Sequence, residues 1–231
     1  MQDEVAKHTK KIYSTVKEST FSFGEKIKEI LIEIFIIVFA VMLSISLHDW
    51  SEHRHQQKEV KEFLVDLKDD LNKDIESMNK LKKRYERAVK EYSYLESLNA
   101  KRIDSIKAKN GDINMSLILN PIEINDGNYE SFKSSGKIGF IENKKIKILI
   151  LRYYEKLMPY LKTTGAYYES SVIELGNLVK GHRDENIFLD SRVKAVLRSI
   201  IEDAQIELRE YTDNIDKAKE IVDTIDEEVK E

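Results

Sequence analysis

The sequence contains no cysteine, which excludes disulfide bonds, thiolate zinc sites and cysteine nucleophiles. It has only two prolines and eight glycines in 231 residues, a composition typical of helical proteins rather than of β-sheets. The net charge is only -4, too small to indicate a nucleic acid or any other highly charged partner. Charged residues still make up 35% of the chain, which is expected for long helices exposed to solvent.

The segment between Gly24 and Gly111 has neither glycine nor proline, the residues that most often end helices. We therefore predict one helix, or two nearly collinear helices, with a length of roughly 120 to 130 Å at about 1.5 Å per residue. A lone helix of this length would be exposed on all sides. Later helices of the same chain, or other copies of the chain, must therefore pack against it.

Residues 30–47 are almost entirely apolar, and Glu33 is the only ionisable residue among them. A helix of this length spans about 27 Å, close to the hydrocarbon thickness of a bilayer. We therefore predict a transmembrane helix over residues 24–50, with Trp50 as an aromatic anchor at the membrane interface. Residues 1–23 are predicted to form either an amphipathic segment in the headgroup layer or a solvated tail.

Small or polar side chains recur every three or four residues along the predicted span. This stripe consists of Glu33, Ile37, Ala40, Ser44 and His48. Small residues at such spacing let transmembrane helices approach closely, and a carboxylate inside a bilayer is costly. The stripe therefore predicts an oligomer axis or a pore lining. In the alternative interpretation, Glu33 reaches the headgroups and the small residues have no special role.

Beyond Trp50 the apolar residues follow a heptad pattern, which requires a partner helix packed alongside. The seam positions are Val60, Leu64, Leu67, Leu71, Asp74, Met78, Leu81, Tyr85, Ala88, Tyr92, Leu95 and Asn99. Asp74 is the one charged residue in this seam. It either fixes the register or contacts a ligand, or it leaves the buried position to Ile75.

The remaining chain divides into an irregular connection with one short helix, over residues 109–141, and two further helices over residues 142–231. Pro159 and Gly165 are expected to bend the first of these helices. Together with residues 51–108 they predict an all-α fold, in which a single transmembrane helix continues into a long coiled-coil-like helix and an up-down-up bundle.

Recognisable catalytic constellations are missing, so we expect no enzyme activity and no cofactor. The segment from Ser134 to Lys137 is similar to a phosphate-binding loop but lacks its glycine spacing, and a helix-ending turn explains it better. A polar cluster follows the span: His48, Asp49, Glu52, His53 and His55. Its spacing matches no standard metal site, and a hydrated collar at the membrane surface is the preferred interpretation.

Between Phe132 and Lys162 there are eight basic and only two acidic residues, whereas residues 202–231 hold twelve acidic and four basic ones. The two segments either neighbour and neutralise each other, or the basic one binds an anionic nucleotide or oligonucleotide with tyrosines stacked on the bases. The candidate ligand contacts are Lys133, Lys137, Lys144, Lys145, Lys147, Arg152, Tyr153 and Tyr154. His182, Arg183, Arg192 and Arg198 could extend this patch.

Two motifs in the sequence are similar to those of a known family. The segment from Glu33 to the pentapeptide His48-Asp49-Trp50-Ser51-Glu52, and the later segment 132–143 followed by Tyr153-Tyr154, resemble an uncharacterised family of small bacterial single-span membrane proteins. His48 and Asp49 depart from that family's asparagines, and Ile32 from its glycine. The resemblance implies a membrane protein with a helical soluble domain and no catalytic activity.

The layout is also similar to that of membrane effectors in bacterial anti-phage systems, in which a soluble domain senses a nucleotide signal and the spans disrupt the membrane. We therefore expect a homo-oligomer in the bacterial inner membrane, associating through the span and the seam and gated by an anionic signal. The flanking basic residues slightly favour a cytoplasmic N-terminus but do not decide the orientation, and a cytoplasmic bundle is the working assumption. The alternative function is a non-catalytic, membrane-anchored scaffold.

Overall fold

A computed structural model describes Lys7, Lys10, Lys11 and residues 23–182 and 184–230, so most of the predicted N-terminal segment 1–23 lies outside the described residues, as does Arg183. The helices are α1 (Phe23–Glu96), α2 (Ala100–Ala108), α3 (Gly127–Ser134), α4 (Lys144–Arg152), α5 (Met158–Val179) and α6 (Ser191–Lys230). Turns of 3-10 helix cover Lys137–Phe140 and Glu185–Leu189, and a π turn covers Tyr153–Leu157. No strand occurs in these residues, and the all-α fold with a long apolar N-terminal helix and a helical bundle is confirmed.

The chain divides into two compact units, Met1–Glu59 and Val60–Glu231, and α1 contributes residues to both. The first unit contains the apolar part of α1. The second unit contains the hydrophobic core, whose buried apolar residues run from Val60 to Ile225.

The heptad seam is confirmed as a buried face of α1, because every seam position from Val60 to Leu95 is buried. The helices that cover it belong to the same chain: Tyr85 contacts Tyr168 at a centroid distance of 4.9 Å and Tyr211 at 5.5 Å. The seam is therefore packed against later helices of the same chain, one of the two arrangements expected from the sequence.

The long helix ends at Glu96, earlier than the absence of glycine and proline predicted. Asn99, expected in the seam, is exposed and caps α2 by accepting a hydrogen bond from the backbone N–H of Arg102 at 3.0 Å. Asparagine side chains favour this N-cap position, and Leu98 is buried instead. The Lys194 ammonium donates to the carbonyl of Leu98 at 2.7 Å and to that of Glu96, so it satisfies carbonyls at the end of α1.

The helix α6 runs antiparallel to α1. Near one end of the bundle, Lys68 pairs with Asp226 at 2.5 Å, and near the other end Arg198 pairs with Glu96 at 3.0 Å. Residue numbers therefore rise along α1 as they fall along α6.

The segment from α4 to α5 is also antiparallel to α6. The Asn143 amide donates to Glu228 at 2.6 Å, and the Ser171 hydroxyl donates to Asp203 at 3.0 Å. Hence α1 and α4–α5 run in the same direction. Of the three long helices in the predicted up-down-up order, the second therefore runs parallel to α1 instead of antiparallel to it. The extended connection between α2 and α3 supplies the downward leg between them, and α6 is the last, downward leg.

The connection between α2 and α3 returns along the bundle in an extended conformation. The Tyr92 hydroxyl donates to the carbonyl of Ser116 at 2.9 Å and accepts from the N–H of Ile118 at 3.1 Å, and the Asn128 amide donates to Asp70 at 2.7 Å. Extended chain from Ile118 to Asn128 covers about 33 Å, which equals the rise of α1 from Tyr92 back to Asp70. The extended connection therefore runs back along α1 over the same length with about half as many residues.

The expected irregularity at Pro159 lies in the turn before it. Tyr153–Leu157 forms a π turn, with the N–H of Met158 bonded to the carbonyl of Tyr153. Proline has no N–H to donate to the carbonyl of Glu155 and clashes with it in a regular α-helix, so the preceding turn widens. The segment Ser134–Lys137 is confirmed as a helix-ending turn, with Gly136 at φ +76.

Candidate functional site

The apolar part of α1 is uncovered. It contains an 18-residue window with a mean hydropathy of 2.8, none of which is buried, and large side chains such as Phe35 (68% exposed) and Met42 (63%) face outwards. Within the described residues, α1 is the one helix long and apolar enough to cross a membrane by length and composition. This is compatible with the predicted membrane anchor.

The five stripe residues all lie in this part of α1, at spacings that place them on one helix face. Glu33 and Ile37 are half-buried, and Ala40, Ser44 and His48 are exposed. Their role at an oligomer axis stays a prediction.

The polar segment after the span forms local pairs along one helix. The Arg54 guanidinium lies 4.9 Å from the centre of the Trp50 ring, which is 58% exposed. His48 lies 3.9 Å from Glu52, and His55 lies 3.7 Å from Glu59. Among the residues that the structure describes, no group of three or more acidic or histidine side chains could hold a metal ion.

Part of the predicted anion-binding cluster is engaged in internal pairs. Lys133 forms a short ion pair with Glu155, and the Tyr129 hydroxyl donates to the same carboxylate oxygen at 2.5 Å. These two donors lower the pKa of Glu155 below its ordinary value. The Lys147 ammonium donates to the carbonyl of Gly139 at 3.0 Å.

The other basic side chains lie towards solvent. Lys144, Lys145 and Arg152 on α4 are exposed, and Lys137 is half-buried in the 3-10 turn. Lys145 and Arg152 lower the pKa of Glu220 on α6 through their charges, after the larger effect of Lys217. The acidic helix therefore offsets part of the basic cluster, as one of the two interpretations of the sequence expected.

The two tyrosines predicted to stack on bases are in the core. Tyr153 is 0% exposed and Tyr154 is 7% exposed, and Tyr154 stacks on Tyr129 at 4.3 Å. Both rings are packed in the core against each other, so neither is open to a ligand in this structure. Tyr160, at 52% exposure, and Tyr167, at 67%, are rings near this region that face solvent.

Asp74 holds the extended connection against α1. Its Oδ1 accepts from the backbone N–H of Asn125 at 3.0 Å and from the Asn125 amide at 2.6 Å. Burial raises the pKa of Asp74 above its ordinary value, although these two hydrogen bonds oppose the shift. Of the two interpretations of this residue, the structure therefore favours the buried, register-fixing one, since Ile75 is only half-buried.

A buried carboxylate that sequence reasoning missed lies between α5 and α6. Glu207 is 0% exposed, and neither of its oxygens has a hydrogen-bond partner in the part of the chain that the structure describes. Burial raises its pKa to about 7, and the negative charges of Glu210 and Asp203 raise it further. The nearby Thr164 hydroxyl opposes this shift, but its hydrogen bonds go to the carbonyls of Tyr160 and Leu161 and not to Glu207. Tyr85 and Tyr211 are close enough for the charge of Glu207 to raise their pKa values.

Glu207 lines a cavity of about 90 Å³ together with Thr164, Tyr167, Asp203 and Ile206. A second, neighbouring cavity of about 200 Å³ is lined by Asn120, Pro121, Ile122, Lys162, Gly165, Ala166, Glu169 and Tyr211. Asn120 is 2% exposed, and both polar atoms of its amide lack a partner among the described residues. Each of the two cavities is therefore lined by residues between Thr164 and Tyr167 of α5 and by one buried side chain with unpartnered polar atoms.

Residues 33–208 match a family described as a family of unknown function, DUF6090. The chain belongs to this family. The DUF6090 match begins in the apolar part of α1, includes the extended connection, α4 and α5, and ends in α6 just after Glu207. Both candidate regions, the apolar segment and the acidic cavity, therefore fall within the family's extent.

No curated protein and no solved structure matches the chain. A family of unknown function is consistent with the resemblance to an uncharacterised family, and the DUF6090 membership assigns neither an activity nor a ligand.

Proposed function

We propose that this chain is a single-pass membrane protein whose helical bundle works in the aqueous phase beside the bilayer. The supporting observation is the apolar window of α1, which has a mean hydropathy of 2.8 and no buried residue. Soluble monomers rarely expose contiguous apolar patches of more than a few hundred Å², and lipid is the environment in which such a helix is stable.

The proposed membrane is the bacterial inner membrane, with the bundle in the cytoplasm. The absence of native cysteine makes the orientation directly testable. Ser51→Cys, just beyond the span on the bundle side, should react with a membrane-impermeant maleimide only in inverted vesicles. Reaction in right-side-out cells would place the bundle outside.

Copies of the protein are proposed to associate through the stripe of the membrane helix. The seam of α1 is covered by the chain's own helices, so the proposed association uses the membrane helix instead. Ala40 and Ser44 are one turn apart and small, which allows two helices to pack closely. The carboxylate of Glu33, one turn inside the apolar segment, supports a pore lining or a weak point in the bilayer.

The proposed role of such an oligomer is that of an effector that opens or disrupts the membrane, in the manner of bacterial anti-phage systems. An anionic, nucleotide-type signal would bind the exposed basic side chains of α4, which are Lys144, Lys145 and Arg152. The supporting features are the intramembrane carboxylate and these exposed charges. A nucleotide-dependent rise in the thermal unfolding temperature of the detergent-purified chain is expected, and its absence would argue against this sensor.

Self-association through the stripe is tested by disulfide cross-linking of single cysteines. Ser44→Cys and Ser46→Cys are nearly isosteric changes at positions about 200° apart around the helix. In membranes, Ser44→Cys is expected to cross-link readily and Ser46→Cys to remain monomeric. Equal cross-linking of both variants, or of neither, would contradict the proposed interface.

The pore is tested by ion leakage from liposomes. Glu33→Ala should abolish leakage, whereas Glu29→Ala, which removes an exposed acid outside the apolar segment, should leave it unchanged. Leakage that persists in Glu33→Ala would exclude a role of this carboxylate in conduction.

A membrane-anchored scaffold is the second candidate, because the bundle closes its own core and needs no other copy to do so. In that case the membrane helix is only an anchor. The detergent-purified protein would have the mass of one chain, conduct no ions and tolerate replacement of residues 24–50 by an unrelated membrane helix.

A further inference from the structure

The cavity at Glu207 carries an inference that is independent of the membrane role. A buried carboxylate without partners is rare in folded proteins, and each such group requires an explanation in terms of strain, function or a missing ion or molecule. Glu207 is fully buried, and both of its oxygens are unpartnered among the described residues.

The charged groups around this carboxylate make its burial more costly. Glu210 and Asp203 both act on Glu207, and both carry the same negative charge. Asp203 lines the same cavity and uses one oxygen to accept a hydrogen bond from Ser171. An uncompensated buried charge costs several kcal/mol, so a cation in the cavity would stabilise both carboxylates.

The other walls of the cavity fit a small cation with an organic body. Tyr167 lines it and is 67% exposed, so the cavity reaches the surface beside an aromatic ring that can bind a cation on its face. The volume of about 90 Å³ corresponds to about three water molecules. An ammonium group with a short alkyl chain fits this space, whereas a nucleotide does not.

We propose that this cavity binds the protonated amino group of a small organic amine, held by the carboxylates of Glu207 and Asp203 and covered by the ring of Tyr167. The alkyl body of the amine would leave the cavity past Tyr167 and lie at the surface.

The test is thermal unfolding of the full chain in detergent at pH 8, with methylammonium or putrescine chloride compared with sodium and potassium chloride at equal ionic strength. The amines are expected to raise Tm by at least about 2 °C in a saturable way. Glu207→Gln should weaken amine binding about tenfold or more, whereas Glu202→Gln, an exposed acid on the same helix, should bind like the parent chain.

Tyr167→Ala is a second variant that changes an exposed ring and leaves the core intact. It should also weaken amine binding, and it keeps the test decisive if Glu207→Gln is poorly folded. The proposal is overturned if no amine raises Tm, if potassium or sodium has the same effect as the amines, or if neither Glu207→Gln nor Tyr167→Ala reduces the response.

Discussion

Glu207 should make the stability of the chain depend on pH. Its pKa rises from 4.5 to about 7 on burial, and the groups that face it are Asp203, Glu210, Tyr85 and Tyr211. The folded state therefore retains a proton that the unfolded state releases. The contribution of Glu207 to the free energy of unfolding is therefore fully present below pH 4.5. It falls by about 3 kcal/mol as the pH rises through about 7.

Glu207→Gln removes this titration and should make the chain more stable than the parent chain at pH 8, with little difference at pH 4.5. The measurement is the Tm of both proteins across this range. Because the other groups titrate in both proteins, the difference between the two Tm values gives the effect of Glu207. A constant difference at all pH values would contradict the assigned cause.

Asp74 should contribute to stability through its hold on the extended connection. Asp74→Ala removes both hydrogen bonds to Asn125, so we expect the free energy of unfolding to fall by about 1–3 kcal/mol. Asp69→Ala is the matched control, because Asp69 is an exposed acid on the same helix. Denaturant unfolding of both variants checks this, and equal effects would show that Asp74 has no specific role.

Single residues were predictable where their chemistry agreed with their position. The seam from Val60 to Leu95 follows from apolar residues at heptad spacing. Glu207 does not follow from this spacing. From Ala204, a step of three residues and then of four leads to Glu207 and Tyr211, whereas a step of four residues and then of three leads to Leu208 and Tyr211. Leu208 was the expected buried residue because it is apolar, but it is only half-buried. The sole signal for Glu207 was that both spacings are compatible with a helix.

The extended connection is the element with the least regular structure and the most polar anchors. Its contacts with α1 include both hydrogen bonds of the Tyr92 hydroxyl. Tyr92→Phe removes them without leaving a large cavity, so amide exchange in residues 111–126 should accelerate about tenfold, equivalent to about 1.4 kcal/mol. The exchange rates of these amides are measured by mass spectrometry.

Tyr94→Phe is the control for this change, because it removes the same hydroxyl from a ring that is 45% exposed two residues away. It should leave exchange in the connection unaltered. Exchange that is unchanged in Tyr92→Phe as well would mean that the connection is held by its other contacts.

Elements were predictable as helices but not in their arrangement. Glycine and proline placed the ends of the long helices to within a few residues, except where Asn99 caps α2 and stops α1 early. Tyr153 and Tyr154 were expected to stack on a ligand because they lie among basic residues, but both rings are buried, and the π turn before Pro159 adds a residue to the turn that carries them. The return of the chain along α1 depends on side-chain anchors far apart in sequence, which periodicity does not reveal.

The whole molecule has two sets of apolar residues, one buried in the core and one exposed on α1. All buried apolar residues that the structure describes lie between Val60 and Ile225, whereas the apolar residues between 27 and 50 are exposed or half-buried. The first set is stabilised by burial within one chain, and the second set requires lipid or other copies. Removal of one set should therefore leave the stability of the other largely intact.

Residues 60–231 produced alone should accordingly be a soluble, helical monomer that unfolds cooperatively, since this unit holds the entire buried core. Mass measurement by light scattering should give one chain per particle without detergent, and circular dichroism should show high helicity. The full chain in detergent is the control, and more than one chain per particle there, after the mass of the bound detergent is subtracted, assigns self-association to residues 1–59. An oligomeric or aggregated truncated protein would instead assign an interface to the bundle and contradict association through the membrane helix alone.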